Sequence, residues 1–111
     1  MKVLLLDNRE SRRRSLCDRL RKTGRYELES YSSISQAQFE GAEFEFALVH
    51  LSNPEADDIQ NGIWSDSEKP VIYFSGGLTS DFNREGKDLY ISETKLVRDL
   101  ESIDTILEVG V

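Results

Sequence analysis

Three short apolar runs limit what this chain can fold into: Val3-Leu4-Leu5-Leu6, Phe46-Ala47-Leu48-Val49-His50-Leu51 and Val71-Ile72-Tyr73-Phe74. Each stops at turn-forming residues, namely Asp7-Asn8, Asn53-Pro54 and Ser75-Gly76-Gly77. An unbroken apolar run of this length is the pattern of a strand covered on both faces, where helices replace water on each side.

The intervening segments supply the covering layers. Ser11 is placed to cap a helix running to about Lys22, with Leu16, Cys17 and Leu20 on one side and Gly24 as its stop. Tyr26-Glu27-Leu28-Glu29-Ser30-Tyr31 alternates and reads as a strand with one wet face, near a sheet edge. Ser35 to Ala42 predicts a brief helix, and Glu55 to Ser65 a partial one with Ile59, Ile63 and Trp64 as its buried positions. Leu89-Tyr90-Ile91 is the last strand, and Leu96, Leu100, Ile103 and Leu107 recur at helical spacing. Strand and helix patterns therefore alternate five times, which means an α/β domain with a parallel sheet between two helical layers. Only the twelve residues Gly76 to Lys87, with two glycines at their start, are too few for an ordinary crossover helix. A loop is expected there, and the fourth helix is expected to be missing.

Composition narrows the function classes. At 111 residues the chain is one domain's worth. Cys17 and His50 are the only cysteine and histidine, which rules out internal disulfides and closed Cys/His zinc sites. No apolar run nears the ~18 residues needed to cross a bilayer, and the start does not read as a secretion signal. A cytoplasmic setting is therefore expected. Charge is uneven: residues 1–25 hold nine basic and three acidic side chains, whereas the remainder holds five and eighteen, for a net −7. That balance argues against nucleic-acid binding, and no aromatic residues interleave with the arginines.

Ligands of open α/β sheets bind beyond the carboxyl ends of the strands. This sequence puts Asp7, Asn8, His50, Ser75 and Glu93 there. In Leu5-Leu6-Asp7-Asn8 with Arg13 and Leu16, in Glu45 through Pro54, in Pro70 through Gly76 and in Gly86 through Glu93, the chain resembles the receiver domains of two-component response regulators. The resemblance spans nearly the whole chain and implies a doubly wound, five-stranded parallel sheet in the order 2-1-3-4-5. It also implies a phosphoacceptor pocket made of those five residues, with most of its chemistry replaced. His50 stands where receivers carry the phosphorylated aspartate, Asn8 where they carry the second metal-binding acid, and Glu93 where they carry a lysine. Thr94 replaces a proline and Asp58 a glycine, so that Asp7 and Ser75 alone persist.

Aspartyl phosphorylation needs a carboxylate nucleophile, an oxygen-bound hard cation and positive charge near the phosphoryl oxygens. None of the three is provided, so no bound metal and no cofactor are expected. A Ser75–His50–Asp7 triad lacks the Gly-x-Ser-x-Gly elbow, and His50 is expected instead to fill the vacated acid pocket, bond to Asp7 and favour its charged form. Arg12, Arg19 and Lys22 share one helix side as a basic patch suited to an acidic partner, and Arg14 with Asp18 forms an i,i+4 pair. Tyr90, at the position of the receivers' switch aromatic, together with Ile106 and Val109 off the final helix's core stripe, marks an interaction face. The expected function is phosphorylation-independent regulation through a protein partner or a second copy, either as a stand-alone adaptor or as the N-terminal domain of a longer regulator. The rival is a receiver still switched by phosphorylation, or by a small ligand in the strand-end crevice.

Overall fold

The three apolar runs become the middle of the sheet. Strands β1 (Lys2–Leu6), β3 (Phe46–His50) and β4 (Val71–Ser75) lie side by side, flanked by β2 (Glu27–Tyr31) beyond β1 and β6 (Asp88–Ser92) beyond β4. All five are parallel, in register Leu5↔Ser30, Leu5↔Leu48, Leu48↔Ile72 and Ile72↔Leu89. This computed structural model describes residues 1–61, 69–77, 83–86, 88–103 and 105, and of 83–85 the backbone.

Successive strand residues face opposite ways, and the two helical layers use that alternation. Val3, Leu5, Leu48, Ile72 and Phe74 pack with Leu16, Cys17 and Leu20 of helix α1 (Glu10–Lys22) and with Leu96 of helix α4 (Glu93–Arg98), together with Leu100 and Ile103 beyond it. Leu4, Leu6, Ala47, Val49 and Tyr73 meet Phe39 of helix α2 (Gln36–Gly41) and Ala56 of helix α3 (Glu55–Gln60) on the other face. The doubly wound α/β architecture is as expected.

Several local features differ from the sequence reading. The short crossover after Ser75 carries an extra strand, β5 (Asn83–Glu85), antiparallel to β6 on its outer edge. No helix occurs among its described residues. Gly86, at φ 61°, makes the turn between these strands in the left-handed region that favours glycine. Helix α1 begins before Ser11. Arg9 occupies the N-cap, and the Asp7 carboxylate, rather than a serine, accepts from the Arg9 N–H at 3.0 Å. Arg14 pairs backward with Glu10 at 2.8 Å. Ser35 does cap α2, in a reciprocal box with Gln38. The final helix breaks at Asp99 into a 3₁₀ turn over Leu100–Ser102, although Leu96, Leu100 and Ile103 are buried as their spacing predicts. Ile59 is only partly buried, while Ile63, Trp64 and Leu107 lie outside the described residues.

Candidate functional site

Parallel pairing in this order gathers the five predicted residues at one end of the sheet. Asp7 follows β1, His50 ends β3, Ser75 ends β4 and Glu93 opens α4 after β6. Asp7 is wholly buried and its N–H donates to Tyr31 O. A buried carboxylate needs a cation or several hydrogen bonds, and α1 supplies both. Arg12 Nε donates to Asp7 Oδ2 at 2.6 Å and its Nη2 to Oδ1 at 2.7 Å, a two-pronged pairing that fits planar guanidinium to planar carboxylate. Arg13 Nη1 donates to the Asp7 carbonyl oxygen at 2.9 Å.

Arg12 also lies 3.5 Å from Glu93 Oε1, an ion pair too long to be a good hydrogen bond. One guanidinium therefore stands between two carboxylates contributed by opposite sides of the crevice. The hydrogen bond to Asp7 holds Arg12 above its ordinary pKa despite partial burial, with the charges of Asp7 and Glu93 adding to the effect. Glu93 reaches toward the loop after β4, where a Cβ on Gly76 would stand 3.8 Å from Oε2.

His50 lies between Asp7 and Ser75 in strand order, as predicted, but it does not bond to Asp7. Its Nδ1 accepts from the Ser52 N–H at 3.0 Å, with Ser52 Oγ 2.7 Å away, and its ring meets Phe74 edge-on. The expected charge preference is reversed as well. Burial lowers the imidazole pKa, Arg12 lowers it further, and the opposing pull of Asp7 and Glu93 is weaker. A backbone donor aimed at Nδ1 suits the neutral ring with its proton on Nε2. Ser52 Oγ in turn donates to Asn8 Oδ1 at 2.7 Å, and Asn8 N–H donates to Asn53 Oδ1 at 2.9 Å. Buried Asn53 reaches Ser32 O with its Nδ2 at 3.0 Å. These bonds clasp the loops after β1, β2 and β3 together.

The Ser52–His50 contact has the spacing of a nucleophile and its base. However, the ring nitrogen already accepts from the backbone and the hydroxyl already donates to Asn8, so the pair is structural. Ser75 Oγ accepts from the Gly77 N–H at 3.1 Å, which turns the loop after β4 and gives no nucleophile–base pair with His50.

Arg12, Ser52 and Asn53 are the site residues whose roles the sequence reading missed. A signal for the first was present: Asp7 keeps its negative charge beside a neutral Asn8, and Arg12-Arg13-Arg14 starts the next helix. The basic patch is accordingly divided. Arg12 is turned into the crevice, while Arg19 and Lys22 remain exposed at the far end of α1. Tyr90 is half-buried, stacked on Tyr73 with centroids 4.9 Å apart, and its hydroxyl accepts from Gln60 Nε2 at 2.6 Å. Ile106 and Val109 lie outside the described residues.

Mg²⁺ demands near-octahedral oxygen ligands. Here both Asp7 oxygens are engaged by Arg12, and Asn8 is engaged by Ser52 and Asn53, so the residues present do not fit that ion. Among the described residues, no cluster of three or more His, Cys, Asp or Glu could hold a metal ion, and no helix is long and apolar enough to cross a membrane. No protein-family model, no curated protein and no solved structure matches the chain.

Proposed function

We propose that this chain is a receiver-like regulatory domain that acts without phosphorylation, through contact with a protein partner in cytoplasmic signalling or transcriptional control. The observation that carries the reading is the two-pronged Arg12–Asp7 pair, extended to Glu93. A crevice that accepts phosphate at a carboxylate must hold a divalent cation against its acids and present positive charge to the incoming oxygens. In this chain a tethered guanidinium takes the place of the cation. Glu93 adds negative charge where an incoming phosphoryl group would need positive charge. His50, at the acceptor position, has its Nδ1 tied to Ser52.

The chemistry of a switch is gone, while the folded frame that receivers use to present surfaces is kept. A stand-alone adaptor and a regulatory portion of a longer protein both fit this reading, as does a domain with no enzymatic activity of its own. Incubation with acetyl phosphate and Mg²⁺, followed by intact-mass analysis, tests it. The expected result is an unmodified chain, and a phosphoryl adduct on Asp7 or His50 contradicts the reading.

A further inference from the structure

His50 is 6% exposed, and its ring is held from two directions. Phe74 meets it edge-on with centroids 5.0 Å apart, and the Ser52 N–H points at Nδ1 from 3.0 Å. A backbone N–H only donates, so Nδ1 must offer a lone pair, and the ring in this arrangement is neutral. A charged imidazole carries a proton on both nitrogens. Two N–H groups would then face each other across the same 3.0 Å.

The plainest reading of a bond between residues two apart is a local turn on which nothing else depends. The contacts beyond Ser52 argue against it. Its Oγ donates to Asn8 Oδ1 at 2.7 Å, and the adjacent Asn53 accepts from the Asn8 N–H at 2.9 Å and donates to Ser32 O at 3.0 Å. Asn53 is buried, and its own N–H returns to His50 O at 3.1 Å. The peptide that faces Nδ1 is thus continuous with the residue that ties the loops after β1 and β2 to the loop after β3.

We propose that His50 and Ser52 form an acid-released latch: a proton gained at Nδ1 turns the Ser52 peptide away and loosens the hold of Asn53 on the other two loops, while the sheet stays folded. Phe74 and the crevice confine the ring, so the loop yields first. Ser52 Oγ, 2.7 Å from Nδ1, is able to accept from the charged ring while still donating to Asn8. The amide has no such freedom, and it is therefore the group that senses the proton. Among the described residues, the charges acting on the ring come from three other places. Arg12 on α1 opposes its protonation, whereas Asp7 after β1 and Glu93 on α4 favour it. Burial and Arg12 prevail, so the latch is closed at neutral pH and opens below the ordinary imidazole value of 6.5. This goes beyond the proposed function and does not need it, because it stands on the contacts of His50 and Ser52 and not on how the crevice meets phosphate.

The test is an NMR titration of the full chain from about pH 7.5 to about pH 5, following the His50 ring and the amides of Asn8, Ser52 and Asn53. The three amides are expected to shift with the midpoint of the ring, below 6.5. The Ser52 proton should move upfield as it loses its acceptor, while the amides of Leu5 and Ile72 in the central strands hold their positions. Glu55, 3.4 Å from Asn53 Nδ2, titrates in more acid solution than this range. H50Q should therefore leave the three amides flat. S52A keeps the N–H and should keep the coupled shift. A ring that titrates while Ser52 and Asn53 stay still overturns the proposal, as does a ring that does not titrate in the range. So do shifts that persist in H50Q, a shift lost in S52A, or central-strand amides that move with the same midpoint, which would be loss of the whole fold and not of a latch. The parent and S52A titrations decide the matter even where H50Q does not fold.

Discussion

Asp7 and Arg12 are bound to each other in an unequal way, because the carboxylate is fully buried and the guanidinium keeps 18% of its side chain exposed. Removing the cation leaves a charge with no route to water. Arg12→Ala should therefore cost about 3 kcal/mol in urea unfolding, within the range for breaking one side of a buried pair. Asp7→Asn with Arg12→Ala should recover part of that loss, since neither charge then remains. His50 gives the second residue-scale prediction. Its folded pKa is lowered from 6.5, so the unfolded chain takes up a proton that the folded crevice resists. Stability is complete above about pH 6.5 and declines as the pH falls below it. His50→Gln should flatten that decline in urea midpoints measured from pH 7.5 to 5.5. Glu55 is held below its ordinary 4.5 by hydrogen bonds that outweigh burial, and its contribution is lost only in more acid solution.

Among the elements, the buried strands were legible because runs such as Val3–Leu6 are short, unbroken and bounded by turn-forming residues. Termini and edges were less so. Ser11 looks like an N-cap by residue type, yet α1 starts at Glu10 with Arg9 at the N-cap and no side-chain cap hydrogen bond, while the Arg9 N–H donates to Asp7 Oδ1. A helix that starts without a side-chain cap leaves no residue-type signature at its cap position. Strand β5 is three residues of mixed polarity, Asn83-Arg84-Glu85, whose pairing comes from β6 rather than from its own pattern. Its one local signal is Gly86. Gly86→Ala places a Cβ at φ 61° and should cost about 1 kcal/mol in urea unfolding, with hydrogen exchange rising first at β5 and β6. The site was legible as a set of positions and illegible as a network. Strand order alone brings Asp7, His50, Ser75 and Glu93 together, whereas the partners of Asp7 and His50 depend on where Arg12 and Ser52 point.

For the whole molecule, the sheet divides two apolar layers, and the central strands serve both. Leu5 is fully buried against α1, while Leu28 on edge strand β2 is only partly buried. Leu5→Ala should cost about 3 kcal/mol and Leu28→Ala clearly less, measured as urea midpoints at constant slope. The same frame sets Arg12 against the crevice acids near the start of α1, while Arg19 and Lys22 are exposed near its end. The proposal that this chain acts without phosphorylation rests on the crevice, where Arg12 lies between Asp7 and Glu93. An amide-shift titration of the native chain with Mg²⁺ and then beryllofluoride, a phosphoryl mimic, reads that site without perturbing it. No saturable change is expected at Asp7, Asn8, His50 or Ser75. Saturable shifts at those amides would mean that the crevice still admits a metal ion and a phosphoryl group, and that Arg12 does not stand in for the cation.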